Sequence, residues 1–154
     1  MTSQDHPEVL MPPPLLHLGG LFIGYTLDQV FHWRLAPSDE RVMLALLPAL
    51  PAVALILWTA LLFRRHRTTI LPQRAASTLV TQGPFRFSRN PIYLSFALLH
   101  LACAIANGSP GMLLTLPLVV VVMDRHVIAA EEAFHQRQFG AAWQAYRARV
   151  RRWL

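Results

Sequence analysis

A run of 22 apolar residues, Val42 to Phe63, constrains this chain more than any other feature. As a helix rising about 1.5 Å per residue, it is long enough to cross the roughly 30 Å hydrocarbon core of a bilayer with some tilt. Pro48 and Pro51 lie inside the run. Membrane helices accept proline where neighbouring helices re-satisfy the freed backbone groups. Composition agrees with a membrane location: 54% of the residues are hydrophobic and 14% charged, whereas soluble domains carry about 25% charged residues. The 154 residues leave room for one domain, 1–154.

Three further segments are apolar. One runs from Leu15 to about Trp33 after Pro12-Pro13-Pro14, one from Ile92 to Asn107, and one of 13 residues from Gly111 to Met123. The register of the last is expected to continue through Asp124-Arg125-His126 into a polar C-terminal helix. Asn90-Pro91 and Ser109-Pro110 each place a capping residue before a proline at the first helical position. The Asn107-Gly108-Ser109-Pro110 turn predicts a tight hairpin between the third and fourth segments. The expected fold is an all-α, polytopic membrane protein with about four transmembrane helices (15–33, 42–63, 92–107 and 111–128). A loop, 64–91, and an amphipathic helical tail, 129–154, complete it.

All 14 basic residues other than histidine are arginines. Six lie between the second and third segments (64, 65, 67, 74, 86, 89) and six follow the fourth (125, 137, 147, 149, 151, 152), against Arg34 and Arg41 on the other side. Twelve against two places the N-terminus, the 64–91 loop and the tail in the cytoplasm. Arginines that flank apolar runs orient a membrane protein, so nucleic acid is not expected as a partner, and no obligate protein partner is inferred. Met1 to Met11 carries Asp5 and Glu8 and no basic residue, unlike a secretory signal, so the first apolar run is expected to be retained. The single cysteine, Cys103, sits in an apolar run, and no disulfide framework or metal cluster is expected.

The polar residues gather on the arginine-rich side. In the tail, Phe134, Phe139, Trp143, Tyr146 and Val150 recur at spacings near those of a helix, interrupted at Gly140. This predicts a helix, a break and a second amphipathic helix. A tail lying on the bilayer surface accounts for the arginines and aromatics, but not for Glu131-Glu132. Adjacent helical residues point about 100° apart, so at most one of these glutamates faces a given pocket and the other is free to cap or to pair with an arginine. Seven-residue spacing puts Asp124 and Glu131 on one face, with His135 a turn further, and Arg125 with Glu132 on the next. The same spacing aligns Tyr93, His100 and Asn107 in the third segment. Ionisable groups at membrane depth commonly mark a site. Arg89, His100 and Glu132 are the catalytic candidates, although a lone histidine on an apolar helix is as often a packed, hydrogen-bonded residue. His17 and Asp28 rank lower.

Two stretches, STLVTQGPFRFSRNPIY (Ser77 to Tyr93) and EEAFHQRQFGAAWQAYRARVRRW (Glu131 to Trp153), resemble the paired signatures of the isoprenylcysteine carboxyl methyltransferase family. More broadly they resemble the membrane methyltransferases that include the phospholipid N-methyltransferases. The likeness covers the second half of the chain. It implies a methyltransferase using S-adenosylmethionine in a cytoplasm-facing pocket, with the positions of Ser77, Thr78, Leu79, Val80, Phe85, Asn90, Pro91, Ile92, Tyr93 and Glu131 at the cofactor. The acceptor it implies is lipophilic or membrane-associated: a carboxylate, thiol or amine. There are two departures. Asn90 replaces a histidine common in the family, keeping hydrogen bonding but not proton transfer. Val127 stands where the prenylcysteine enzymes place a substrate-side arginine, which weakens carboxyl methylation of prenylcysteine as the reaction.

These residue types suit the chemistry. Glu131 can accept from hydroxyls or an ammonium, while Arg89, Arg149 or Arg152 can grip a carboxylate. Tyr93, Phe85 and Trp143 offer aromatic faces to adenine or to a cation. Holding donor and nucleophile in line supplies about 7–11 kcal/mol in well-oriented systems, and a dry site helps where an anion meets a sulfonium. An acceptor entering from lipid is expected to pass between the third and fourth segments. Two other functions fit the same pattern: a non-catalytic membrane protein of this fold, and an NADPH-dependent reductase resembling the steroid 5α-reductases.

Overall fold

The computed structural model describes residues 11–65 and 79–154. Six α-helices and no strand are present among the described residues: α1 (Pro13–Phe31), α2 (Asp39–Arg65), α3 (Pro91–Ala106), α4 (Pro110–Val122), α5 (Ala129–Phe139) and α6 (Ala141–Arg147). A 3-10 turn, Gly83–Arg86, precedes α3, and a π-helical stretch, Met123–Ile128, joins α4 to α5. Helix α3 packs against α2, α4 and α1, while α1 lies mainly on α4.

Each boundary has a local cause. Proline stands at the first turn of α1, α3 and α4, where its missing N–H is not needed. Ser109 caps α4 by accepting from the Met112 amide at 3.0 Å. Asn90 does not act as the expected cap. Its side chain makes no bond to the first turn of α3 and is drawn instead to the C-terminal segment. Helix α2 runs through Pro48 and Pro51 unbroken, with Asp39 and Glu40 in its first turn and Arg64 and Arg65 in its last, the arrangement its dipole favours. Gly140, at φ +50°, ends α5 and supplies the predicted break.

Two helices are long and apolar enough to cross a membrane, Asp39–Arg65 and the continuous Pro110–Phe139. Only 11% of the most apolar stretch of α2 is buried. Leu47, Leu50, Leu57 and Leu61 are exposed, and a soluble monomer rarely presents so large an apolar surface. Helix α3, with 16 residues, is shorter than such a span.

The packing of α1 against α4 depends on small residues. Gly20 and Gly24 are four apart, the spacing that lets membrane helices approach closely. A Cβ on Gly24 would lie 2.5 Å from the Met112 amide nitrogen, and one on Gly111 2.2 Å from the Gly24 carbonyl. Asp28, buried at the far end of α1, accepts from the Gly111 amide at 2.8 Å and from the Ser109 hydroxyl. A carboxylate on one helix thereby serves the N-terminus of another. Deeper in the bundle, His17 Nδ1 meets His100 Nδ1 at 3.2 Å, and His100 Nε2 lies 3.1 Å from the Met112 carbonyl. That carbonyl only accepts, so Nε2 of His100 carries the proton. Of the two facing Nδ1 atoms, one donates to the other.

Candidate active site

Tyr93, buried in the first turn of α3, donates its hydroxyl proton to Glu131 Oε1 on α5 at 2.5 Å. Beneath this pair lies the main apolar cluster, Tyr93, Val119, Met123, Val127 and Ile128, with Leu16, Ile92, Phe96 and Trp153 against it. Val119 and Met123 pack with Tyr93 there.

Glu132 points elsewhere, as neighbouring residues on a helix must. Its carboxylate accepts from Arg89 Nη2 at 2.7 Å and from Arg152 Nη2 at 2.5 Å. The other Arg152 terminus reaches Asp124 at 2.8 Å, and Trp153 Nε1 donates to the same carboxylate at 3.0 Å. Two guanidiniums and two carboxylates therefore balance in one cluster. Arg89 and Glu132 have side chains only 8% and 9% exposed, so each would be costly without the other. The Glu132 and Asp124 carboxylates hold Arg152 even further above its ordinary range, Glu132 foremost.

The π-helical stretch explains why Asp124 shares a partner with Glu132 and not, as seven-residue spacing predicts, a face with Glu131. Bonding i to i+5 takes up more residues per turn than the α pattern. The register is delayed, and the residue eight positions on comes into line. Val127, at the position of the expected arginine, is buried in the apolar cluster, while Arg125 and His126 are exposed.

The loop before α3 is tied to the tail at several points. Tyr146 donates to the Phe85 carbonyl at 2.8 Å, and the Phe85 ring lies 5.5 Å from that of Phe63 on α2. Burial pushes the Tyr146 phenol up to about 12, against the pull of nearby Arg89. Trp143 packs between His135 and Tyr146, at ring distances of 5.0 and 5.7 Å, with the Arg89 guanidinium 5.9 Å from its ring centre. Its Nε1 is buried and has no hydrogen-bond partner among the described residues.

Of the residues that the resemblance implies at a cofactor, Ser77 and Thr78 lie outside the described residues. Leu79 and Val80 are half-buried, and Phe85, Asn90, Pro91, Ile92 and Tyr93 line the loop and the start of α3. Glu131 reaches this group through Tyr93. His100 does not belong here: it lies two helical turns deeper, bonded to His17 and the α4 backbone. Asn107 is at the opposite end of α3, where Arg34 donates to its side chain at 3.2 Å. Arg89 and Arg152 are occupied by Glu132 and Asp124. Nothing local in the sequence predicts that Arg152 folds back onto α5.

A family model described as phospholipid methyltransferase matches residues 41–142. A curated protein of Haemophilus influenzae, described as uncharacterized, is 33% identical over 63 residues, which is 41% of this chain and the whole length of that protein. No solved structure matches.

Proposed function

Because this chain belongs to the phospholipid methyltransferase family, we propose that it transfers a methyl group from S-adenosylmethionine to a lipid or other membrane-associated acceptor at the cytoplasmic face of the bilayer. The supporting observation is the Tyr93–Glu131 hydrogen bond, which joins the two stretches of sequence that resemble membrane methyltransferases.

The residues present fit such a donor. Glu131 has acceptor capacity beyond its bond to Tyr93, suited to ribose hydroxyls or an ammonium. The Trp143 N–H, without a partner among the described residues, offers a donor for a carboxylate, in an aromatic wall completed by His135 and Tyr146. Ser77, Thr78, Leu79, Val80, Phe85, Asn90, Pro91 and Ile92 would complete the cofactor side. S-adenosylmethionine supplies an activated methyl on a sulfonium. A bond forms from the acceptor heteroatom to that carbon as the carbon–sulfur bond breaks, leaving a neutral thioether. An ammonium acceptor must first lose a proton to expose its lone pair. In this reading α1 to α4 all cross the membrane, so an apolar acceptor reaches the site from lipid.

The test is to incubate membranes containing the protein with S-adenosylmethionine labelled in its methyl group and then extract them. Label in the lipid fraction, absent from membranes carrying Glu131→Ala, is the expected result. Label in no fraction, with no saturable binding of S-adenosylhomocysteine, would remove the reading.

A further inference from the structure

The last residues of the chain form no helix, yet they are bonded from both sides. The Arg151 carbonyl accepts from the Arg89 amide at 3.0 Å. The Arg152 carbonyl accepts from Ser88 Oγ at 3.3 Å and from Asn90 Nδ2 at 3.0 Å. The Arg152 side chain leaves in another direction, to Glu132 and Asp124. Arg89 closes the circuit by donating to the Val150 carbonyl at 2.5 Å and to Glu132. One residue thus touches the loop before α3 through its backbone, and the π stretch and α5 through its guanidinium.

We infer that the Arg151–Trp153 segment is a strap that completes the site, with Arg152 as a positioning residue that sets the Ser88–Asn90 turn against α5. The assignment of Asn90 follows from the chemistry of its partner. A carbonyl only accepts, so the Asn90 amide must present its nitrogen to the strap, and its oxygen is turned away. With the strap in place, Asn90 meets a ligand as an acceptor, suited to a hydroxyl, amino or ammonium donor. Arg89 and Glu132 act in the same way, through the positions they hold and not on the reacting atoms. The strap rests on the geometry alone; the consequence for ligand binding rests also on the methyl-donor reading.

The test uses the full chain in lipid nanodiscs beside Arg152→Ala, Arg152→Lys and a chain ending at Val150. Without cofactor, hydrogen exchange at the Arg89 and Asn90 amides is expected to quicken about tenfold or more on loss of the strap's charged bonds. Amides of α4 around Met112 to Val119 should remain as in the parent. Calorimetry with S-adenosylhomocysteine is expected to show about tenfold weaker binding for Arg152→Ala and the shortened chain, partly restored by Arg152→Lys. Unchanged exchange at Arg89 and Asn90 in the shortened chain overturns the strap. So does equal quickening throughout α3 and α4, which would make Arg152 a residue of general stability. Local quickening in a parent protein that binds no S-adenosylhomocysteine supports the strap and defeats the methyl-donor reading instead.

Discussion

Tyr93 and Glu131, 38 positions apart in sequence, meet through a 2.5 Å hydrogen bond that fastens the first turn of α3 to α5. The bond orients a carboxylate that would otherwise choose among several rotamers, and it leaves that group further acceptor capacity. Tyr93→Phe keeps the ring in the apolar cluster and removes only the hydroxyl. It should weaken S-adenosylhomocysteine binding about tenfold, the upper end of what one hydrogen bond contributes. Glu131→Ala should abolish binding while the protein still inserts normally. Calorimetry on purified protein reads both, and wild-type affinity in Glu131→Ala would take that residue out of the site.

The contact between α1 and α4 should tolerate no added bulk at one glycine and ignore it at another. A methyl on Gly24 would press on the backbone at Met112, with the nearest atom at 2.5 Å, whereas nothing lies within 4 Å of the same methyl on Gly19. Gly24→Ala should therefore destabilise by about 1–3 kcal/mol, the range for overpacked cores. Gly19→Ala should be neutral or slightly stabilising, since alanine is the better helix former. Thermal unfolding in detergent compares the two. Equal melting temperatures would mean that α1 does not cross α4 at Gly24.

Much of this architecture was legible because its causes are local. Proline at the first helical position started α3 and α4 where expected, with Ser109 as the cap of α4, and Gly140 broke the tail. The geometry of adjacent helical residues foretold separate duties for Glu131 and Glu132. The features that are not legible depend on partners distant in sequence or on departures from α geometry. Asn90 was expected to cap α3, but the Arg152 carbonyl competes for its amide. The π stretch carries no obvious sequence mark, and it moved Asp124 from the face of Glu131 to that of Glu132. Gly20 and Gly24 were visible as a spaced pair, and that spacing was a signal available to be used. The docking of Asp28 onto Ser109 and Gly111 could not be read without knowing that α1 lies on α4.

Tyr146 gives the fold a dependence on alkaline pH. Burial raises its phenol from the ordinary 10 to about 12, so the folded state holds the proton after the unfolded chain has lost it. The associated stability is fully present below pH 10 and lost as pH rises toward 12. Tyr146→Phe also removes the donor to the Phe85 carbonyl, at a cost of about 1 kcal/mol near neutrality. Melting curves should show wild type ahead at pH 8, with the gap narrowing and then inverting between pH 10 and 12. A gap constant over that range would mean that Tyr146 is solvated in the fold.

The charge asymmetry and the helix arrangement together make a prediction about sidedness. If α1 to α4 all cross the bilayer, the α1–α2 connection lies on one side, and the turn before α3 and helix α6 lie on the other. Helix α3 spans only about 24 Å at 1.5 Å per residue, so its crossing requires local thinning of the bilayer, at a modest cost per ångström. With the half-buried Cys103 replaced by alanine, single cysteines at exposed Trp33, Gln82 and Gln144 would report sidedness to a membrane-impermeant maleimide. Gln82→Cys and Gln144→Cys should label only in inside-out vesicles, where the cytoplasmic face is outward, and Trp33→Cys only in right-side-out ones. In the four-span arrangement three crossings, α2, α3 and α4, separate Trp33 from Gln144, so labelling of Trp33→Cys and Gln144→Cys from the same side would overturn it.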